Sequence, residues 1–551
     1  MNRLRYSLAP RVSHARTLVV VASLGLAATG GCSSIPEDKT PTPEGKASTV
    51  ASLVARVADS MGGQKVYAAA AEEIRADGER FEPGEGVHPD RPLFMSTFSL
   101  SRTLAAAAPL QRQSLTLDAK AVLPQRVAFT EIINGRAGYL DGNDNIFGSP
   151  PQSPLLAGRI AGQLRHADLT SPLRLVRAAL AAPSAVTARP SVSFDGHPHE
   201  VIALKLGDAP EVRLFVDRGT NLISKAETLE DHPPRGDSLV EVSFKEYRSA
   251  DGVLVPFDVA IAIDGRRVHH EVRRQAATVP EVDVTKFAVP PALVVPPDEA
   301  QATRARRSSQ WYAGFFYGAF SFFYYDQTGS PVDDVVLAPG VHYLRGPSHH
   351  NLLVEQQDSL TIVDAPMYPG RTSSVLAAAK ARFPGKPLRH VIATHFHQDH
   401  CGGIRELAAE GNVDVVAGAP TRTFFESIFS NPHSVAPDRF EAAPKPVKVV
   451  PVDTTFTIGD PERPIEIYRI PNSHAEDMLI TYLPKQKIMF VADLFGPDPA
   501  TKGKVLEGEY RVWAAELYSA VRSLGLDVQV VVGAHGEGTA TLDDVRKGGG
   551  Q

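Results

Sequence analysis

Four metal-binding side chains fall within six residues of this chain, in His395-Phe396-His397-Gln398-Asp399-His400-Cys401-Gly402-Gly403. The apolar run Leu388 to Thr394 before them reads as a strand, and Ile404–Ala409 after them as a helix. A strand places residues i and i+2 on one side, so His395 and His397 point together at one metal. The chain then turns, and Asp399 and His400 face a second metal. Imidazole nitrogen and carboxylate oxygen are the usual ligands of hydrolytic zinc. Gly402-Gly403 lets the following helix start close beneath the site. One metal still needs another ligand, and a pair needs a bridge. His474, in the loop Pro471-Asn472-Ser473-His474-Ala475-Glu476-Asp477, is one candidate. Asp493 closes the apolar strand Ile488–Ala492, and His535 follows Val530–Ala534. Each stands beside a strand end, where a sheet edge gathers side chains that are distant in sequence.

Other histidines carry less weight. His390 lies inside the strand that leads to the motif, and His349-His350 lie in a turn. Packing is the expected role for all three, with His349 or His350 as a lining of the substrate mouth. Cys401 is expected to be a small residue under the site rather than a ligand.

Strands and helices alternate around these residues. Val341–Leu344, Leu352–Glu355 and Leu360–Asp364 read as successive strands, and 372–383 as a helix stopped by Pro384-Gly385. This order of motifs resembles the metallo-β-lactamase superfamily over residues 334–551. The resemblance implies a four-layer αβ/βα sandwich. It also implies that His395, His397 and His474 bind a first metal, that Asp399, His400 and His535 bind a second, and that Asp493 bridges them. Two zinc ions are the expected cofactors, with iron or manganese as alternatives. Such a pair lowers the pKa of a shared water to about 7, so a hydroxide nucleophile exists at neutral pH. Asp399 is the expected catalytic residue, orienting the nucleophile and passing a proton to the leaving group. Within the superfamily a bridging aspartate is typical of glyoxalase II-type thioesterases, lactonases and phosphodiesterases, which ranks β-lactam hydrolysis lower. Only sixteen residues follow His535, which argues against glyoxalase II itself and implies a short or absent final helix.

Upstream, residues 49–61 read as a helix, with Val50, Leu53, Val54, Val57 and Met61 at helical spacing and Gly62-Gly63 as its stop. From about 93 to 295 strands dominate. Val240, Val242 and Phe244 alternate with polar residues, as do Val259, Ile261 and Ile263. Asn134-Gly135, Asp141-Gly142, Asp251-Gly252 and Asp264-Gly265 read as hairpin turns. The stretch Pro154–Ala182 is more helical. The expected architecture is a mostly antiparallel β half-barrel with helices, spanning 49–296. It resembles the half-barrel of periplasmic lipoprotein carriers in three runs: Met61-Gly62-Gly63, Phe215-Val216-Asp217 and Asp251-Gly252-Val253-Leu254-Val255-Pro256. That resemblance implies a site for acyl chains, set against a structural domain that shapes access to its neighbour.

Residues 297–333 are expected to be a linker. Ten of the fifteen residues from Trp311 to Tyr325 are aromatic. This block is expected to pack between the halves, to line an apolar entrance, or to sit in a membrane interface behind Arg304, Arg306 and Arg307.

The first residues have the form of an export signal. Arg3, Arg5, Arg11 and Arg16 precede the apolar stretch Thr17 to Thr29, which is too short to span a bilayer. Thr29-Gly30-Gly31-Cys32 resembles a bacterial lipobox with Cys32 as the lipidated residue. Residues 1–31 are thus read as a signal peptide and 32–48 as a flexible tether. The expected location is the periplasmic face of a membrane, or outside the cell if Cys32 carries no lipid.

Composition sets the outer bounds. With 551 residues, 43% hydrophobic and 22% charged, the chain is ordinary globular protein of several domains. Its net charge of -6 gives no electrostatic footprint for nucleic acid. Two cysteines, Cys32 and Cys401, cannot build a disulfide framework. The expected partner is a small-molecule substrate. The alternative from a different class is a cell-envelope protein that binds a lipid or other hydrophobic ligand, with the metal domain as scaffold.

Overall fold

The computed structural model describes residues 43–320 and 331–551. The lipidation candidate Cys32, the signal peptide and the block residues Phe322 to Tyr325 lie outside the described residues.

The first half is built on one antiparallel sheet of thirteen strands among the described residues. Two meanders, Ala71–Pro154 and Val186–Val279, join where the strand Ala71–Glu82 pairs with the strand Arg266–Val279. Alternation writes this sheet into the sequence. In Leu110–Ala119 every second residue is buried, which is how a strand with one covered face must read. Helices interrupt the meander at Ala157–Thr170 and Pro172–Ala181, where apolar residues recur at helical spacing. They pack on the covered face together with the first helix, Pro43–Met61, and the aromatic helix Ser309–Tyr317. Asn134-Gly135, Asp251-Gly252 and Asp264-Gly265 do join paired strands. Asp141-Gly142 does not: it lies inside the strand Ala137–Asn143. A Cβ on Gly142 would stand 2.6 Å from the carbonyl oxygen of Ala128 on the next strand. This glycine therefore serves close backbone approach within a sheet, not a turn.

The second half packs two sheets face to face over one apolar core. In the seven-stranded sheet the strands from Leu360–Val363 to Lys448–Val452 run parallel. In the five-stranded sheet Ile488–Val491 and Val530–Gly533 are parallel neighbours. Helices Pro369–Arg382 and Arg422–Ser430 belong to the first sheet's connections, and Gly508–Leu524 and Leu542–Gly548 to the second's. The result is the expected four-layer sandwich, closed by a final helix of seven residues. Strands buried on both faces read as continuous apolar runs, as Ile488–Val491 does.

Contacts between the halves are specific. Asp237 accepts hydrogen bonds from the backbone amides of Ser434 (3.0 Å) and Val435 (2.9 Å). Asn431 donates to the carbonyl of Arg235. Arg235 in turn holds the loop 83–92 by the carbonyls of Pro83 and Pro89.

Candidate metal centre

Every expected ligand sits just past the carboxyl end of a strand or in a loop beside one. His395 follows Leu388–Ile392, Asp493 follows Ile488–Val491, and His535 follows Val530–Gly533. His474 comes from the loop between Ile465–Arg469 and Leu479–Leu483. That is where α/β sheets place ligands. The motif's own turn is tight: a Cβ on Gly402 would lie 2.0 Å from the carbonyl oxygen of Met367. Glycine alone lets the chain pass there.

The seven side chains converge. His395, His397, His474 and Asp493 offer ligand atoms within 4.8 Å of one another, and so do Asp399, His400, His535 and a further residue, His349. Asp493 faces both groups, one oxygen to each. Its Oδ2 is 2.8 Å from His474 Nε2 and 3.4 Å from His395 Nε2. Its Oδ1 is 2.8 Å from His535 Nε2 and 2.9 Å from His400 Nε2. This is the geometry of a bridge. His395 Nε2 and His474 Nε2 are 3.3 Å apart. A tetrahedral ion with bonds of about 2.0–2.1 Å has an edge of about 3.3–3.4 Å, so the pair fits zinc.

Hydrogen bonds fix the tautomers. The Thr394 hydroxyl donates to Asp364 Oδ2 at 3.0 Å, so its oxygen accepts from His395 Nδ1 at 3.2 Å. His400 Nδ1 donates to the same Asp364 oxygen at 3.0 Å. Both rings therefore turn a bare Nε2 inward. His397 is held the other way round. Its Nε2 donates to the carbonyl oxygen of Gly86 at 2.8 Å, which leaves Nδ1 bare. His397 Nδ1, His400 Nε2, Asp399 Oδ1 and Asp493 Oδ1 are all buried without a hydrogen bond. Four orphaned lone pairs in one place are costly unless a cation meets them. The residues present fit a metal pair.

Electrostatics agree. Burial lowers His395 to about 4, which keeps it neutral and able to ligate. Burial pushes Asp493 up, but His400, His535 and His474 outweigh it and hold the carboxylate well below its usual range.

Residues 345–535 match the family model for the metallo-beta-lactamase superfamily. This domain belongs to that superfamily. A curated relative, the uncharacterized protein YobT of Bacillus subtilis (strain 168), is 39% identical over 56 residues, so the chain spans 23% of that protein's length. The solved metallo-beta-lactamase from Pontibacter korlensis is 18% identical, with 40% of this chain and 98% of that one covered and a TM-score of 0.31. A metallo beta lactamase from Hirschia baltica is 22% identical over 40% of this chain and 96% of its own, with a TM-score of 0.30. Membership of residues 345–535 in the superfamily supports a metal-dependent hydrolase.

Two contacts at the site go beyond the sequence reading, which gave His349 or His350 only as a lining of the mouth, where His349 does stand. His349 donates from Nε2 to Asp399 Oδ2 at 3.0 Å, and its ring centroid is 4.4 Å from that of His535. A turn histidine carries no spacing signal, so its expected role did not extend to a contact with Asp399. His350, by contrast, accepts from the amide of Gly346 and packs against Tyr343. Glu85 makes the second. It belongs to the first half, yet its Oε2 lies 3.6 Å from His397 Nδ1. No pattern within 83–92 announces that. Cys401 is buried and donates to the carbonyl of Phe396 at 3.2 Å, a structural role as expected.

Proposed function

We propose that this chain is an exported, lipid-anchored hydrolase whose dinuclear centre cleaves an ester, thioester, lactone or phosphodiester-type bond. The observation that carries the reading is the split of Asp493, with one oxygen turned to each ligand group. Zinc is the metal proposed, because the donor set is nitrogen-rich. The pair would be held by His395, His397 and His474 on one side, by Asp399, His400 and His535 on the other, and by Asp493 between. When bound, it supplies Lewis acidity and an ionised water at neutral pH.

The protein's own groups do the rest. Asp364 and Thr394 keep His395 and His400 in their ligating tautomers. His349 donates to Asp399 Oδ2 and fixes the carboxylate, which would both hold the metal and orient the attacking water and its proton. The export signal and the lipobox-like Thr29-Gly30-Gly31-Cys32 support the anchor.

The test is a panel of ester, thioester, lactone, phosphodiester and β-lactam substrates, run on the zinc-loaded chain and on the chelated one. Turnover of at least one class, lost on chelation and restored by zinc, is expected. A zinc-loaded chain inert on every class contradicts the reading.

A further inference from the structure

A cavity of about 410 Å³ opens beside the metal ligands, within the size range of small-molecule sites. Its floor is the site itself: Asp399, His474, Asp493 and His535 line it. Its opposite wall comes from the first half of the chain. Val87, Leu93, Met95, Phe147, Phe315 and Phe320 supply an apolar surface. Val87 is 49% exposed and Phe147 50% exposed, and the Phe147 ring stands 6.1 Å from that of Phe320. Among the described residues no lysine or arginine lines the cavity, whereas Glu82, Glu85 and Glu509 do. A metal pair would satisfy one anion at the reacting centre. A second anionic group, held away from the scissile bond, would meet carboxyl groups, hydrocarbon and neutral polar groups such as Ser348 and Ser473, with no cation to offset its desolvation.

We propose that the first half of the chain forms the substrate-arm site of this hydrolase, and that the arm is an uncharged hydrocarbon of acyl type. This rests on the hydrolase reading and narrows it to neutral esters, thioesters or lactones. Substrates that carry a remote carboxylate or phosphate are rejected. The loop 83–92 is the joint of the device. Gly86 caps His397, the carbonyl of Val87 accepts from the amide of Glu476, and His88 pairs with Glu476 at 3.0 Å. The apolar wall and the metal ligands are thereby held in one register.

The experiment uses the zinc-loaded full chain and three p-nitrophenyl esters: butyrate, octanoate, and the suberate monoester, which matches octanoate in length but ends in a carboxylate. Octanoate is expected to exceed both others in kcat/KM by about tenfold or more, since it buries four more methylenes than butyrate and, unlike suberate, desolvates no remote carboxylate. Val87→Lys and Phe147→Lys, both at exposed positions, are expected to close the gap between octanoate and suberate. A preference for suberate, equal rates for butyrate and octanoate, or variants that leave the gap unchanged would overturn the proposal. Trp513 lines the same cavity, and its fluorescence separates the two readings. Saturable octan-1-ol binding without turnover of any ester removes the hydrolase reading and keeps the apolar-arm site. Neither binding nor turnover removes both.

Discussion

Asp364 is outside both groups of candidate ligands, yet it orients one of them, His400. Its two oxygens receive the Thr394 amide and hydroxyl and the His400 ring, and its backbone sits at φ 65. A left-handed residue that is not glycine costs of order 1 kcal/mol or more, so the surroundings must hold it there. Asp364→Asn keeps the shape and tolerates that backbone, but removes the charge that orients the ring. Metal affinity is expected to fall about 10–100-fold, measured by competition with a chromophoric chelator, while the circular dichroism spectrum stays unchanged. Unchanged affinity would show that the ring needs no such partner.

Asp477 makes a second prediction at this scale. Burial raises its carboxyl to about 7, against which the Thr421 hydroxyl bond works only in part. The unfolded chain releases this proton near pH 4. Between about pH 4 and 7 the folded state therefore holds a proton that the unfolded state has lost, and stability falls as pH rises. The fall ends above pH 7, at a total of order 4 kcal/mol as an upper bound. Asp477→Asn is expected to flatten the drop in urea midpoint between pH 5 and pH 8. An equal drop in wild type and variant would assign it to other groups.

At the scale of elements, the tight turns are where single atoms matter. Gly402 sits under the motif with Met367 backbone where a side chain would begin. Gly402→Val forces the turn outward and is expected to destabilise the chain by about 1–3 kcal/mol, read as a lower thermal midpoint, with weaker metal binding in step. A neutral result would show that the turn gives way easily. The elements themselves were largely legible. Strands flanking the motif, the helix after Pro369 and the long antiparallel meander all follow from periodicity, because burial of one face or of both leaves a pattern in the residues. Asp141-Gly142 was not legible, since a glycine required by a neighbouring strand looks the same as one required by a turn. The seven converging side chains were legible as candidate ligands because their residue types and order are unusual together. The contacts of Glu85 and His349 were not, because they come from tertiary approach to His397 and Asp399 between segments far apart in the chain.

At the scale of the whole molecule, the two halves are not beads on a string. The segment 297–320, read from sequence as part of a linker, contains two helices, Glu299–Arg307 and Ser309–Tyr317. Trp311 and Tyr312 are buried there, and Trp311 meets Tyr368 of the second half at 6.1 Å. Phe315 and Phe320 face the cavity instead. The described part of the aromatic block, 311–320, thus packs and lines at once. The proposed export and anchoring belong to this scale too. Cys32→Ser is expected to move the protein from the membrane fraction to the soluble one and to abolish labelling by a palmitate analogue. Retention on the membrane without label would argue for a different anchor.

The central claim is that these residues grip two metal ions. The direct measurement is metal content per chain by mass spectrometry, on the zinc-reconstituted protein and on Asp493→Ala. Two equivalents in the wild type, and fewer than one in the variant with its hydrolytic activity gone, are the predicted result. Two equivalents retained by Asp493→Ala, or none bound by the wild type, would contradict the account.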